Sequence, residues 1–240
     1  MTKICLWSSP RNISTAFMYS WAQRKDTIVV DEPFYGYYLK TTLANHPGKD
    51  EIIAEMECDG DKVVKNLLFA PYPKPIVFFK HMTHHTLSIN AHFMSEMVNL
   101  FFIRDPKKII ASYAQVIEQP VMQDIGMKMQ YDFYINAVSN NYKTIVLDSE
   151  ELLKNPTDVL QKLCAAIGIG FDAAMLKWKA GARKEDGIWA KHWYGNVHQS
   201  TGFERQKTSE RMLPERLIPL YEELKPYYDY LKQFSIKAIK

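Results

Sequence analysis

Short apolar runs recur along the 240-residue chain and alternate with segments of helical period. The runs lie at residues 4–7, 27–30, 76–79, 98–103 and 144–147. Most of them lack the apolar–polar alternation that is typical of a strand with one solvent-exposed face. Continuous apolar strands that alternate with helices indicate a parallel sheet covered on both faces. The pattern therefore predicts a doubly wound α/β fold, with three layers around a mainly parallel sheet.

Sequence signals mark the ends of the predicted helices. The segment 14–25 follows the first apolar run and carries an apolar stripe of helical period. Asp105 and Asn155 each precede a proline, and a capping side chain followed by proline is typical of a helix start. Gly168 follows an apolar helical face, and glycine often ends a helix. These signals predict helices between the strands, as a parallel sheet requires.

Composition and charge narrow the class of protein. The chain is 47% hydrophobic and 24% charged, which is ordinary for a globular protein. Its formal net charge of +3 is too small to indicate a nucleic-acid or membrane partner. The three cysteines lie far apart, and no apolar stretch has the length of a signal peptide or a membrane span. We expect a single cytoplasmic domain over residues 1–240, with the C-terminal helical region as a covering layer.

The segment 8–15, Ser-Ser-Pro-Arg-Asn-Ile-Ser-Thr, lies between the first predicted strand and a helix. Ligands of parallel α/β sheets bind at such positions, and the N–H groups of a helix N-terminus attract anions. Arg11 adds a guanidinium that can bind two phosphate or sulfate oxygens, and Ser14 and Thr15 add hydroxyl donors. The loop is not a Walker A loop, because it has neither glycine nor Gly-Lys-Ser/Thr. Alone, it is explained equally well as a turn followed by a serine cap.

A second candidate site follows the fourth predicted strand. Arg104 leaves the strand tip, Asp105 caps the next helix, and Ser112 and Tyr113 follow two turns later. Arg104 and Ser112 could bind a second phosphate group. The alternative is that Arg104 pairs with a carboxylate and Ser112 only packs. Because both candidate sites lie at carboxyl ends of predicted parallel strands, together they predict a nucleotide site.

These motifs resemble those of the sulfotransferase family, whose donor is 3′-phosphoadenosine 5′-phosphosulfate (PAPS). The segment 10–15 resembles the family's 5′-phosphosulfate loop, usually Pro-Lys/Arg-Ser-Gly-Thr/Ser-Thr. The segment 104–113 is similar to its 3′-phosphate motif, Arg-Asn/Asp-Pro, five residues, then Ser-Tyr. A third match covers 147–168, where an acidic pair and leucine precede a proline-initiated helix that ends in Ile-Gly. The resemblance implies a P-loop nucleoside triphosphate hydrolase-like fold.

The resemblance also implies a set of binding residues and exposes some departures. Ile13 stands where the family usually has glycine, and Asn12 where it has serine, so the loop backbone or its approach to the sulfate must differ. The family's basic C-terminal loop has only a distant candidate at 183–184. The chain is also similar to small bacterial-type sulfotransferase-like proteins, some homologues of which are named after a fused aminotransferase. The implied nucleotide-binding residues are Arg11, Asn12, Ile13, Ser14, Thr15, Arg104 and Ser112.

Sulfuryl transfer needs cations for the leaving nucleotide and a base for the acceptor's proton. Arg11 is the first candidate cation and Lys80 the second. Two residues compete for the base: His81 at the tip of the third strand and Glu32 at the tip of the second. An imidazole titrates near neutral pH, whereas a carboxylate needs burial to raise its pKa. However, His81 lies one place earlier than the family's Lys-x-His, and neighbouring side chains on a strand point to opposite faces. We therefore favour Glu32.

His81, His84 and His85 have a spacing that could suggest a metal site. No carboxylate or cysteine accompanies them, so we interpret them as hydrogen-bond donors near an anionic ligand and predict no metal. Aromatic side chains of residues 34–38 and 189–194 could line an acceptor pocket, although part of them belongs to the core.

The sequence thus predicts a sulfotransferase that moves a sulfuryl group from PAPS to a hydroxyl or amine of a small-molecule acceptor. Two alternatives remain open. A P-loop kinase of a small molecule would need a Walker lysine and Mg²⁺ ligands, which the chain lacks in the expected places. The departures at Asn12 and Ile13 leave open a nucleotide-binding protein without catalytic activity.

Overall fold

A six-stranded sheet forms the centre of the protein in the computed structural model, which describes residues 1–204 and 211–239. Every described strand pair is parallel, and the strand order is β2-β3-β1-β4-β5-β6. This confirms the predicted α/β fold, with a described sheet that is entirely parallel. The strands are β1 (Thr2–Ser8), β2 (Thr27–Asp31), β3 (Ile76–Met82), β4 (Val98–Ile103), β5 (Thr144–Asp148) and β6 (Ser235–Ile236).

Helices connect the strands and cover both faces of the sheet. Asp105 and Asn155 cap two of them by accepting backbone N–H bonds, and a proline follows each cap, as predicted. The first helix ends three residues before the predicted boundary at residue 25. The helices are α1 (Ser14–Ala22), α2 (Tyr35–Thr42), α3 (Lys49–Glu55), α4 (Gly60–Val63), α5 (Pro106–Tyr113), α6 (Met122–Ile125), α7 (Met127–Ser139), α8 (Ser149–Lys154), α9 (Pro156–Ile167), α10 (Ala190–Trp193) and α11 (Ile218–Lys232). None of the described helices is both long and apolar enough to cross a lipid bilayer.

Two apolar clusters enclose the sheet. Ile4 and Leu6 of β1 face the side covered by α1, α8 and α9, whereas Cys5 and Trp7 face the side covered by α5, α7 and α11. All four side chains are fully buried. Successive side chains of a strand point to opposite faces, so a strand covered on both sides needs apolar residues at every position. This is the physical reason for the unbroken apolar runs.

Polar residues extend the strands beyond the predicted apolar runs. β4 has the predicted bounds, and the other four predicted strands are longer at their carboxyl ends. The added positions include Ser8, Asp31, Lys80, His81 and Asp148. All five are buried, and they lie at the edge of the sheet where ligands of parallel α/β proteins bind. β6 was not predicted, because a two-residue strand is too short to show a period.

The C-terminal helix α11 covers one face of the sheet, as expected. It continues through Pro226 and buries Leu224, Tyr228 and Leu231. The Tyr228 hydroxyl donates a hydrogen bond of 2.9 Å to Asp148 at the end of β5. The helix is therefore fixed to the sheet by apolar packing and by one buried polar contact.

Candidate active site

A cavity of about 500 Å³ opens at the carboxyl ends of β1, β2, β3 and β4. All but one of the residues singled out from the sequence line it. They are Arg11, Asn12, Ile13, Ser14, Thr15, Glu32, Lys80, Arg104 and Ser112. The exception is His81. The parallel sheet thus brings together segments that lie up to a hundred residues apart in the chain.

The loop between β1 and α1 has an unusual backbone. Arg11 and Ile13 have φ angles of 57° and 53°, in the left-handed region. That region is uncommon for residues other than glycine and costs a β-branched residue most; such strain is of order 1–3 kcal/mol and is concentrated at functional sites. At the position where the family usually has glycine, Ile13 therefore has a backbone conformation that glycine favours.

The side chain of Asn12 fixes this loop to the sheet. It is fully buried, and its amide nitrogen donates to the carbonyl oxygen of Phe102 in β4. The loop is therefore held from both sides, by its own strand and by the neighbouring one. Ser14, Thr15 and Ala16, in the first turn of α1, line the cavity directly after it. The first backbone N–H groups of a helix have no partner within the helix, so this turn can bind an anion.

Arg11 and Arg104 lie together at one end of the cavity. Arg11 donates from Nε to the Ser112 hydroxyl at 3.0 Å, and Arg104 donates from Nη1 to the Arg11 carbonyl at 2.6 Å. Burial lowers the pKa of both guanidiniums. Arg211 lowers the pKa of Arg11 further, whereas for Arg104 the nearby Glu150 opposes the shift and Arg11 adds to it. Within the described parts of the chain, no carboxylate lies within 4.0 Å of either guanidinium. The two candidate phosphate sites thus form one cationic group that lacks a counter-ion among these residues.

Lys80 lies in a buried polar cluster that also lines this cavity. Its side chain is fully buried, and Nζ donates to Asp31 Oδ1 at 2.8 Å, Glu32 Oε1 at 2.5 Å and the Tyr194 hydroxyl at 2.7 Å. The Tyr194 hydroxyl in turn donates to Asp31 Oδ2 at 2.7 Å. Sequence reasoning missed the part of Asp31 in this cluster, although its position beside Glu32 at a strand end was a usable signal.

The backbone of Glu32 explains how two consecutive carboxylates reach one ammonium group. Glu32 has a φ of 41°, and its N–H donates to the Lys80 carbonyl at 2.8 Å. In an extended strand, consecutive side chains would point to opposite faces. The left-handed residue breaks that alternation, so Asp31 and Glu32 both turn toward Lys80.

Electrostatics perturb the pKa values of this cluster. Burial raises the pKa of Glu32, although Lys80 opposes the shift. Burial also disfavours the charged form of Lys80, but the carboxylates of Asp31 and Glu32 outweigh it and raise that pKa. Two carboxylates that share one cation make an arrangement in which a proton can be taken up at modest cost.

His81 lies outside the cavity, in the aromatic core. Its ring stacks on Trp7 with centroids 4.7 Å apart and lies 5.5 Å from Phe34. It is 1% exposed, and neither ring nitrogen has a hydrogen-bond partner in the described structure. Burial lowers its pKa to about 3. The structure therefore does not bring His81 to the other candidate residues, because its one-place shift along β3 turns it to the opposite face.

The next two histidines do line the cavity. His84 and His85 lie in the short 3₁₀ turn that follows β3. The ring of His85 stacks between Tyr35 at 4.5 Å and Tyr38 at 4.6 Å, and its Nδ1 lies 3.6 Å from Glu32 Oε2. Burial lowers the pKa of both histidines, that of His84 to about 3. No three His, Cys, Asp or Glu side chains among the described residues are arranged to hold a metal ion.

Aromatic side chains from distant segments complete the wall. Tyr35, Tyr113 and Trp193 line the cavity, together with Tyr194. Trp189 is buried behind them and donates to the Tyr194 hydroxyl at 3.2 Å. The segment 196–204 also contributes, and sequence reasoning missed it, because it is largely irregular chain without a periodic pattern.

The comparison that decides the family covers nearly the whole chain. Residues 2–233 match the family described as "Sulfotransferase domain". The chain belongs to this family. The resemblance found in the loop and in the Arg-Asp-Pro segment thus extends over both faces of the sheet.

Two curated relatives of this sulfotransferase domain come from Arabidopsis thaliana. Branched-chain-amino-acid aminotransferase-like protein 1 is 39% identical over 227 residues, which are 94% of this chain and 41% of the relative. Branched-chain-amino-acid aminotransferase-like protein 2 is 37% identical over 233 residues, which are 97% of this chain and 42% of the relative. The chain therefore spans about two fifths of the length of these relatives.

Solved sulfotransferase structures share the fold at low sequence identity. A sulfotransferase from Alicyclobacillus acidocaldarius has a TM-score of 0.60 and 12% identity, covering 100% of this chain and 97% of its own. The sulfotransferase domain from the curacin biosynthetic pathway has a TM-score of 0.56 and 14% identity, covering 97% and 98%. A mouse sulfotransferase complexed with PAP has a TM-score of 0.56 and 13% identity, covering 98% and 89%.

Proposed function

We propose that this sulfotransferase domain moves a sulfuryl group from PAPS to a hydroxyl or amine of a small-molecule acceptor. The observation that carries the proposal is a pair of arginines in one cavity, the buried Arg104 and the partly buried Arg11. Neither has a carboxylate partner among the described residues. Buried charges are costly unless they are paired, so the cavity favours an anionic ligand.

Arg11, Arg104 and Ser112 are the proposed contacts of the phosphate groups of PAPS. Guanidinium groups bind phosphate oxygens in pairs, and the Ser112 hydroxyl, which now accepts from Arg11, can also donate to a phosphate. The first turn of α1 supplies backbone N–H groups beside them. The PAP in the mouse relative supports a nucleotide of this kind in this domain.

Glu32 is the proposed general base. Its Oε1 is held by Lys80, whereas Oε2 has no hydrogen bond from a described residue, and burial raises the pKa of the carboxyl group. The acceptor oxygen attacks sulfur, the bond between sulfur and the bridging oxygen breaks, and PAP leaves with that oxygen and the electron pair. Glu32 takes the acceptor's proton, and the arginines stabilise the charge on PAP.

Transfer of ³⁵S-sulfate from PAPS to a panel of small alcohols and amines tests the proposal. We expect product with the unmodified protein and a loss of about 100-fold or more in Glu32→Gln, since a positioned base contributes 10²–10⁴-fold. The exposed-lysine variant Lys191→Ala is the control and should stay active, because among the described residues Lys191 forms a surface ion pair with Glu51 alone. Full activity in Glu32→Gln would contradict the role of Glu32. Binding of PAP without transfer to any acceptor would favour the non-catalytic alternative.

A further inference from the structure

The two carboxylate oxygens of Glu32 have different surroundings. Oε1 accepts from Lys80 Nζ at 2.5 Å, and the Tyr194 hydroxyl lies 3.4 Å from it. Oε2 faces His85, whose Nδ1 lies 3.6 Å away. That distance is too long for a hydrogen bond, which in proteins spans 2.7–3.2 Å between N and O. Both residues line the cavity, and this oxygen and nitrogen lie side by side without a hydrogen bond between them.

The ring of His85 is held rigidly at this place. It is 3% exposed and lies between the rings of Tyr35 and Tyr38, with interplanar angles of 8° and 23°. Tyr35 is itself fixed, because its hydroxyl lies 2.8 Å from His46 Nδ1. Nδ1 of His85 has no hydrogen-bond partner in the described structure. Buried polar atoms nearly always have a partner, so an unpaired nitrogen beside a cavity indicates a ligand atom.

We propose that His85 is a further catalytic residue, which together with Glu32 binds the reacting hydroxyl of an uncharged, ring-bearing alcohol. We call the position between these two side chains the hydroxyl site. The inference rests on the proposed sulfuryl transfer. The hydroxyl donates its hydrogen to Glu32 Oε2 and accepts a hydrogen bond from the Nδ1–H of neutral His85. One oxygen can make both contacts at ordinary hydrogen-bond lengths, because the two protein atoms are 3.6 Å apart.

The sulfuryl group is transferred to the oxygen bound at the hydroxyl site. The oxygen of the acceptor hydroxyl forms the new bond to the sulfur of PAPS. The bond from sulfur to the bridging oxygen breaks, so PAP leaves with that oxygen and the electron pair. The hydroxyl proton moves to Glu32 Oε2, and the product is a sulfate monoester. His85 keeps its proton throughout, and its hydrogen bond orients the acceptor oxygen so that a lone pair faces the sulfur.

The side chains around the hydroxyl site favour an uncharged acceptor with a ring. Tyr35, Tyr113 and Trp193 form apolar and aromatic walls, which suit the face of a ring. The carboxylates of Asp31 and Glu32 lie at the hydroxyl site and share the single ammonium group of Lys80. A carboxylate on the acceptor would therefore be repelled, and the neutral imidazoles cannot compensate it.

Three variants test the role of His85 at the hydroxyl site. His85→Phe keeps the stacked ring and removes both nitrogens, whereas His85→Asn places an amide near the position of Nδ1. His81→Phe is the matched control, since it removes an equally buried imidazole that lies outside the cavity. For each protein, calorimetry measures PAP affinity, thermal unfolding measures stability, and ³⁵S transfer measures kcat and KM. The acceptor probes are 4-hydroxybenzyl alcohol, 2-naphthol, cyclohexanol and the anionic 4-hydroxybenzoate, and NMR measures their binding to the PAP-loaded protein.

We expect His85→Phe to lower kcat at least about 10-fold, the smaller end of what orientation contributes. Its PAP affinity should stay within about 2-fold of the unmodified protein, and His85→Asn should recover part of kcat. His81→Phe should retain activity, and 4-hydroxybenzoate should be the poorest probe. Unchanged kcat in His85→Phe, or equal loss in His85→Asn at normal stability, overturns the role of His85.

Other outcomes separate this inference from the proposed function. Turnover or binding of 4-hydroxybenzoate at least as good as that of 4-hydroxybenzyl alcohol overturns the acceptor class. So does the absence of both turnover and binding for all three uncharged probes. In either case, binding of PAP would still support the proposed nucleotide site. Failure of the unmodified protein to bind PAP instead rejects the proposed function, and the inference with it. Between the uncharged probes, preference for 2-naphthol indicates a phenol and preference for cyclohexanol an alicyclic alcohol.

Discussion

Lys80 is the residue that allows two carboxylates to be buried side by side. Its ammonium group makes three hydrogen bonds, two of them to Asp31 and Glu32, and its side chain has no exposed surface. Because the raised pKa of Lys80 comes from the folded state, its contribution to stability is fully present below pH 10.5. It is lost as the pH rises through the higher folded-state value. The base proposed for catalysis therefore depends on a lysine that is also structural.

Replacing Lys80 by methionine should destabilise the protein strongly. The Lys80→Met variant leaves two buried carboxylates without a cation, and breaking a buried ion pair costs about 3–5 kcal/mol. Urea unfolding at neutral pH measures the change. Lys128→Met is the control, since Lys128 and Asp132 are about half exposed and such pairs contribute about 0–1 kcal/mol. A loss no larger than that of the control would show that the carboxylates do not need Lys80.

The capped ends of helices were the most readable part of the sequence. The capping residues Asp105 and Asn155 and the terminating Gly168 lie where the sequence predicts them, because these signals act locally. The approximate positions of five of the six described strands also follow from local apolar content. The left-handed conformation of Glu32 did not, because nothing in Asp-Glu-Pro requires it and the Lys80 carbonyl that fixes it lies 48 residues away.

The candidate site was readable only in part, for the same reason. Arg11, Glu32 and Arg104 follow strands, so a parallel sheet collects them at one edge. The position of His85 depends instead on two tyrosines of α2, and that of Tyr194 on an irregular segment. Such contacts between segments have no period along the chain, so no sequence pattern predicts them.

The end of α9 forms a Schellman motif. Ile169 N–H donates to the Cys164 carbonyl at 2.9 Å, and Gly168 N–H donates to the Ala165 carbonyl at 3.1 Å. Gly168 has a φ of 90°, which L side chains adopt at a cost. A Cβ atom at this position would meet no atom within 4 Å. The requirement for glycine is therefore conformational and not steric.

Gly168→Ala should reduce the free energy of unfolding by about 1–2 kcal/mol, the cost of the left-handed conformation for a residue with a side chain. Gly170→Ala is the matched control, because its Cβ would also meet nothing within 4 Å and its φ lies outside the left-handed region. We expect the control to be neutral or slightly stabilising. Equal effects in the two variants, measured by denaturant unfolding, would contradict this account of the helix end.

Across the whole molecule, the arginine cluster connects the loop after β1 with the end of β4 and with α5. Arg11 lies in the loop after β1, whereas Arg104 and Ser112 lie at the end of β4 and in α5. The two guanidiniums also lie close enough for Arg11 to lower the pKa of Arg104, a repulsion that costs free energy in the absence of an anion. A ligand with two phosphate groups would remove this repulsion and link the same segments. Binding should therefore be visible in the stability of the entire fold.

PAP should raise the melting temperature of the protein. At 100 times its dissociation constant, a ligand adds about 2.7 kcal/mol to the stability of the folded state. For a chain of this size that corresponds to roughly 5–11 °C. Arg104→Ala should lose most of this shift relative to its own unliganded melting temperature, because it removes the buried one of the two guanidiniums. Lys191→Ala, which removes an exposed cation, should keep it. A larger shift with ATP–Mg²⁺ than with PAP at equal concentration would instead favour the kinase alternative, since the two nucleotides differ in where their phosphates lie.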